Sequence, residues 1–164
     1  LVFSTADKGV VLGATSNTDA NTISDYEEGT WTPAYGGSSV APTVTYATQA
    51  GSYVKVGDFV HVQGRIKTDA TSSGSGNLRL TGLPFTNINQ SDAYSTFHIG
   101  YNNAWSADKS PISGLLNANT SHVTLYTARA SDARDGRGIV LNCSDLTNGT
   151  GKNDIIFSMT YRAD

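Results

Sequence analysis

The 164-residue chain is predicted to be all-β, an antiparallel β-sandwich of jelly-roll type with an extended N-terminal strap. Two observations predict it. The first is composition: 18 Ser, 20 Thr, 12 Asn and 17 Gly stand against two Glu and one Met. Thr, Ser, Asn and Gly suit strand surfaces and turns, whereas helices favour Ala, Leu, Glu, Lys and Met. The second is period-two alternation in many short runs, each closed by turn residues, with no helical stretch between them. No fixed-period repeat occurs, which argues against a β-helix or a propeller.

Taken in order, residues 1–24 read as the end of an upstream stem and an extended linker, and 25–164 as the β domain. The chain opens on Leu1 rather than Met, which reads as the distal piece of a longer protein. Val10-Val11-Leu12 is a short strand-like patch. Residues 13–24 are nearly free of large apolar groups and cannot bury enough surface to fold alone. The clearest strand is 59–67, with Val60, Val62, Gly64 and Ile66 on one face and His61, Gln63, Arg65 and Lys67 on the other. The run 52–56 reaches it through Gly57-Asp58, a tight hairpin turn. Residues 77–81 alternate as well. Further inward rows are Ser95, Phe97, Ile99 and Tyr101; Val123, Leu125 and Thr127; and Ile155, Phe157, Met159 and Tyr161. Shorter runs at 44–47, 112–116 and 139–141 bring the total to eight or nine strands. Turn clusters at 71–76, 87–92, 102–110, 131–138 and 146–153 separate them.

Charge is dilute and slightly acidic, 11 Lys+Arg against 14 Asp+Glu, with no basic run, so a nucleic-acid footprint is absent. No apolar stretch is long enough to span a membrane, and Leu1-Val2-Phe3 lacks the pattern of a signal peptide. Cys143 is the only cysteine, which leaves no internal disulfide and no thiolate metal cluster.

Four segments carry a family resemblance. Asp25-Tyr26-Glu27-Glu28-Gly29-Thr30-Trp31-Thr32-Pro33 resembles the DYEEGTWTP signature that opens C-terminal domains of phage tail-fibre-like proteins. Residues 51–60 are similar to their GxYxKxGxxV hairpin, 76–85 to their GxLxITGLPF segment, and 155–162 to their closing IxFSxTYxx strand. The middle of the chain, 90–142, carries no matching motif. Met159 departs from the family, which often has Gly there. The resemblance implies a virion protein with a β-sandwich head, a homotrimer on a fibrous stem, that contacts the host surface.

The signature residues have ordinary structural uses. Trp31 is expected to anchor the incoming strap, with Tyr26, Glu27 and Glu28 at the strap or a subunit boundary. Adjacent side chains on an extended segment point to opposite faces, so Glu27 and Glu28 make a poor glycosidase pair. Pro84-Phe85 should end a strand and plug the sandwich end. His61, His98 and His122 sit in polar registers, and no nucleophile elbow, zinc-protease or phosphate-loop motif occurs. Asp132 and Asp135 lack the spacing of a calcium loop, and Arg129, Arg134 and Arg137 around them read as local ion pairs. No catalytic residue, metal or cofactor is therefore expected.

A ligand site is expected in the long loop that holds Tyr101, Asn102, Asn103, Trp105 and Asp108. An aromatic face can cover the apolar side of a sugar ring, while amides and a carboxylate meet its hydroxyls. The competing reading packs Trp105 under its own loop or into a subunit interface. A polar strap gains partners by wrapping neighbouring subunits, and a closed assembly would sum several weak contacts. The expected function is thus non-catalytic binding of a host cell-surface polysaccharide or lipopolysaccharide by the tip of a phage tail fibre, with other virion proteins met through the N-terminal side. The alternative is a capsid-decorating or head-fibre protein, with a small depolymerase or esterase behind it.

Overall fold

The computed structural model describes residues 10–11, 22–23, 25–72, 74–128 and 138–163. Residues 13–21 of the expected linker and the 131–137 loop, with Arg129, Asp132, Arg134, Asp135 and Arg137, lie outside them. The first two strands, β1 (Val10–Val11) and β2 (Thr22–Ile23), pair only with each other. The others are β3 (Tyr26–Trp31), β4 (Ala34–Gly37), β5 (Thr43–Val56), β6 (Phe59–Ser72), β7 (Leu78–Thr81), β8 (Ser95–Asn103), β9 (Pro111–Leu116), β10 (Val123–Thr127), β11 (Ile139–Val140) and β12 (Lys152–Arg162). A single 3-10 turn, Cys143–Asp145, is the only helical element among the described residues.

Every described pairing is antiparallel, and the strands run β3-β5-β6-β12-β8-β9-β10-β7-β4, with β11 beside β10. The two ends of this path, β3 and β4, are joined by Thr32-Pro33 alone. The sheet must therefore curl until its first and last strands adjoin. Proline suits that corner, because it has no N–H to offer a ladder. The layers expected of a sandwich are here one continuous hydrogen-bonded path.

Alternation explains the core. Val60, Val62 and Ile66 of β6, Ile155, Phe157, Met159 and Tyr161 of β12, and Phe97 and Ile99 of β8 are all buried on the concave face. Leu116, Val123, Leu125, Leu78, Leu80 and Tyr35 close it from the other strands. Phe157 lies tilted by 34° against Phe97 with centroids 4.8 Å apart, and Trp31 meets Phe157 edge-on at 6.0 Å. Phe85 meets Tyr53 edge-on at 5.5 Å, and its carbonyl accepts from the Tyr161 hydroxyl at 3.1 Å. Burial pushes the Tyr161 phenol up to about 12.

Three expectations are corrected. The runs 44–47 and 52–56 belong to one strand, β5, because Thr48, Gln49, Ala50 and Gly51 stay paired with β6. Register shifts around Tyr46 absorb the break in alternation. Tyr101, expected in the inward row, faces outward: Gly100 is an extra residue between the Ile99–Phe157 and Tyr101–Ile156 pairs. Such a bulge moves the following side chains to the other face. Strand β8 then continues to Asn103, so Tyr101, Asn102 and Asn103 stand on a strand and not in a loop.

Cys143 is 3% exposed, with its Sγ among the carbonyls of Ser75 (3.6 Å) and Gly36 (3.8 Å). Burial pushes its thiol up. A thiol-specific chromogenic reagent should thus react at least ~100-fold more slowly with the native protein than in denaturant, since only exposed thiolate is reactive. Immediate stoichiometric labelling of the native protein would contradict this packing.

Candidate functional site

The expected loop begins where β8 ends. Ala104 and Asp108 both adopt positive φ, 59° and 60°, and turn the chain back sharply. That turn directs Trp105 inward. Its ring meets Tyr35 edge-on at 6.0 Å and 90°, and its indole N–H donates to the Asp154 carbonyl at 3.4 Å. Asn102 is half-buried and donates to the Pro111 carbonyl at 3.1 Å. Asn103 and Asp108 remain exposed, and the Asp108 carbonyl accepts from Thr127 at 3.4 Å. Of the expected set, Tyr101 alone presents a large aromatic surface outward, 44% exposed.

The opening signature lies on edge strand β3, where alternation parts the two glutamates. Glu28 accepts from the Tyr26 hydroxyl at 2.7 Å on the outer face. Glu27 lies on the side of Trp31 and accepts from the Tyr53 hydroxyl. Both phenols are held above their ordinary value by these carboxylates, chiefly through the hydrogen bond. Asp25 pairs with Lys55. Trp31 is buried over Gly51.

Tyr101 belongs to a constellation on the convex face of β5, β6, β12 and β8. Cross-strand register sets Arg65 beside Ile156, Ile156 beside Tyr101, and Gln63 beside Ser158 and then His98. Arg65, Ile156, Gln63, Ser158 and His98, with Ser52 and Gly100, line an open groove of about 540 Å³, and Tyr101 stands outside that lining, next to Ile156 in the register. Gly100 leaves its floor open because no side chain stands at the bulge. Arg65 is held by Asp154 in a two-pronged contact, Nε to Oδ1 at 3.0 Å and Nη2 to Oδ2 at 2.8 Å. Asp154 is 2% exposed, so this pair fixes the guanidinium against the sheet and leaves its other edge toward the groove. The chemistry on offer is an apolar platform (Tyr101 and Ile156) bordered by an amide, hydroxyls, an imidazole and a neutralised guanidinium. It suits a ligand with apolar faces and many hydroxyls.

The loop-centred expectation left out Arg65, Gln63, His98 and Ile156. For Arg65 and Gln63 the signal was the polar register of 59–67, and for His98 its polar position beside Phe97 and Ile99, whereas Ile156 carried no such signal. Among the described residues, no group of three His, Cys, Asp or Glu is placed to hold a metal ion, and no helix is long and apolar enough to cross a membrane.

No protein-family model matches the chain, and no curated protein matches it. Among solved structures, the crystal structure of the Dettilon tailspike protein is similar, with a TM-score of 0.64 at 23% identity. The similarity covers 85% of this chain and 24% of the tailspike chain. The likeness is one of fold, and the chain corresponds to about a quarter of the tailspike's length.

Proposed function

We propose that the chain is a virion-associated host-recognition module that binds a cell-surface glycan without catalysis, at the tip of a phage tail fibre or spike. The observation that carries this reading is the tailspike-like fold over 85% of the chain. The DYEEGTWTP segment and its three companion motifs support it. The groove beside Tyr101 supports the glycan, because it offers an exposed aromatic ring among hydroxyl and amide groups. The non-catalytic reading is supported by Glu27 and Glu28, which point to opposite faces and each hold a tyrosine hydroxyl. The assembly we propose is a homotrimer, with the exposed Tyr26 on edge strand β3 facing a neighbouring copy.

Fluorescently tagged protein should label susceptible bacteria and compete with phage adsorption. Tyr101→Ala should weaken labelling by about tenfold, the usual effect of removing an aromatic anchor. Attachment to stripped capsids with no labelling of cells would favour the decoration reading. Release of reducing ends or acetate from host polysaccharide would overturn the non-catalytic one. Light scattering decides the assembly, since a stable monomer contradicts the trimer.

A further inference from the structure

The outer face carries a second cavity. It measures about 320 Å³ and lies at the far end of β6 and β12, between Phe59, Thr160 and Arg162 and the loop that carries Asp92 and Tyr94. Register sets both cavities on one line. Arg65 pairs with Ile156, Gln63 with Ser158, His61 with Thr160, and Phe59 with Arg162. Alternate residues of a strand share a face, and each step of two advances roughly 6.6–6.8 Å. The three steps cover roughly 20 Å, the reach of roughly four linked pyranose rings.

The order of chemistry along this line is distinctive. Apolar surface stands at both ends: Tyr101 and Ile156, each 44% exposed, at one, and Phe59 (60%) with Tyr94 (59%) at the other. Along β6 and β12 the middle is polar, with Gln63, Ser158 and a His61–Thr160 contact of 3.0 Å, and Val54 of β5 (38% exposed) borders it beside His61. An interface between proteins has the reverse arrangement, an apolar centre inside a polar rim. Both cations on the line are already paired, Arg65 with Asp154 at 2.8 Å and Arg162 with Asp58 at 3.0 Å. With both paired and the Asp92 carboxylate lining the second cavity, the line offers no net positive charge to an acidic ligand.

We propose that the two cavities are the ends of one linear track that binds an uncharged polysaccharide along its length, not at its terminus. This rests on the glycan reading above and adds its chemical class and size. Rings at each end would lie against Tyr101 and Phe59, while the units between them hydrogen-bond to the polar rows.

The test is an array of bacterial capsular and lipopolysaccharide O-chain polysaccharides, neutral and acidic, followed by a length ladder cut from whichever chain binds. Affinity is expected to rise up to about four units and then level off. A roughly tenfold rise in salt should change it less than about twofold, because both cations on the line are already paired and an uncharged ligand brings no charge of its own. Phe59→Ala and Tyr101→Ala should each weaken long fragments about tenfold. Both residues are exposed, so circular dichroism should show an unchanged fold. Disaccharides binding as tightly as long chains, binding confined to acidic chains, or full affinity in Phe59→Ala would each overturn the track. So would a fall in oligomer size in Phe59→Ala, which would assign this face to a second copy. Cell labelling that persists alongside any of these leaves host recognition standing; no array binding and no labelling removes both.

Discussion

Replacing Trp31 by alanine should lower the stability of the domain by about 3–5 kcal/mol, the range for truncating a buried tryptophan. Trp31 is 7% exposed and fills the corner where the first strand of the sheet meets its centre. It pairs with Gly51, and a Cβ built on Gly51 would lie 2.4 Å from its Nε1. The indole thus occupies the space that the missing side chain leaves, and its edge meets Phe157. Two companion variants make the reasoning testable. Trp31 Nε1 is buried without a hydrogen-bond partner. Trp31→Phe removes that orphaned donor while keeping an aromatic ring, so gain and lost volume should offset to within about 1 kcal/mol. Gly51→Ala should be costly while Trp31 is in place and close to neutral in the Trp31→Ala background, a coupling that a double-mutant cycle measures. Urea unfolding followed by circular dichroism reads every protein in the set. The midpoint of thermal unfolding should drop on the order of 10 °C in Trp31→Ala. A loss smaller than about 1 kcal/mol there would contradict the packing described.

Much of this fold was legible because the signal was local. Val60, Val62 and Ile66 alternate with His61, Gln63 and Arg65, and a strand with one buried face needs nothing more to be recognised. The same holds for Ile155 to Tyr161. The failures have a common cause, which is register. Nothing in the order of residues 95–101 says that Gly100 is an insertion in the ladder; only the partner strand β12 creates the bulge that sends Tyr101 outward. Gly51 reads as a strand breaker by itself, yet it is paired on both sides and covered by Trp31. Trp105 illustrates the same limit. Amid Asn, Ser and Asp its exposure could be read either way, because the ring it packs against, Tyr35, lies on a strand distant in sequence. The groove was legible in part: the polar register put Gln63 and Arg65 on the outer face, whereas their convergence with His98, Ile156 and Ser158 depends on strand order.

The other large effect is expected at Asn153, where Asn153→Ala should cost about 3–5 kcal/mol. This side chain is fully buried at the point where β12 carries an extra residue, between the Lys152–Thr68 and Ile155–Ile66 pairs. Its φ is 48°, a conformation that asparagine tolerates and alanine resists. Its Nδ2 donates to Thr68 Oγ1 at 2.7 Å and to the Thr147 carbonyl at 2.8 Å, and its Oδ1 accepts from the Thr147 N–H at 2.9 Å. Its own carbonyl accepts from the Tyr35 hydroxyl at 2.8 Å. Alanine would leave the Thr147 groups and one Thr68 lone pair unmet in a dry site. Asn153→Asp keeps the shape and separates the contributions. Its carboxylate would face the Thr147 carbonyl with no donor to offer, beside Asp154. Burial and that neighbour raise a carboxyl's folded pKa, so the folded state holds its proton longer than the unfolded chain. Stability relative to the parent should therefore be nearest to normal below about pH 4 and worsen as pH rises toward neutrality. The damage should also reach the outer groove. Asp154, the next residue, orients Arg65, and its carbonyl takes the Trp105 indole N–H. A loosened bulge would release both, so the glycan binding proposed for the groove should weaken in Asn153→Ala even at temperatures where the domain remains folded. Unfolding curves recorded across pH for the three proteins provide the check. A pH-independent loss in Asn153→Asp, or a stability change of less than about 1 kcal/mol in Asn153→Ala, would show that the network is not holding the bulge.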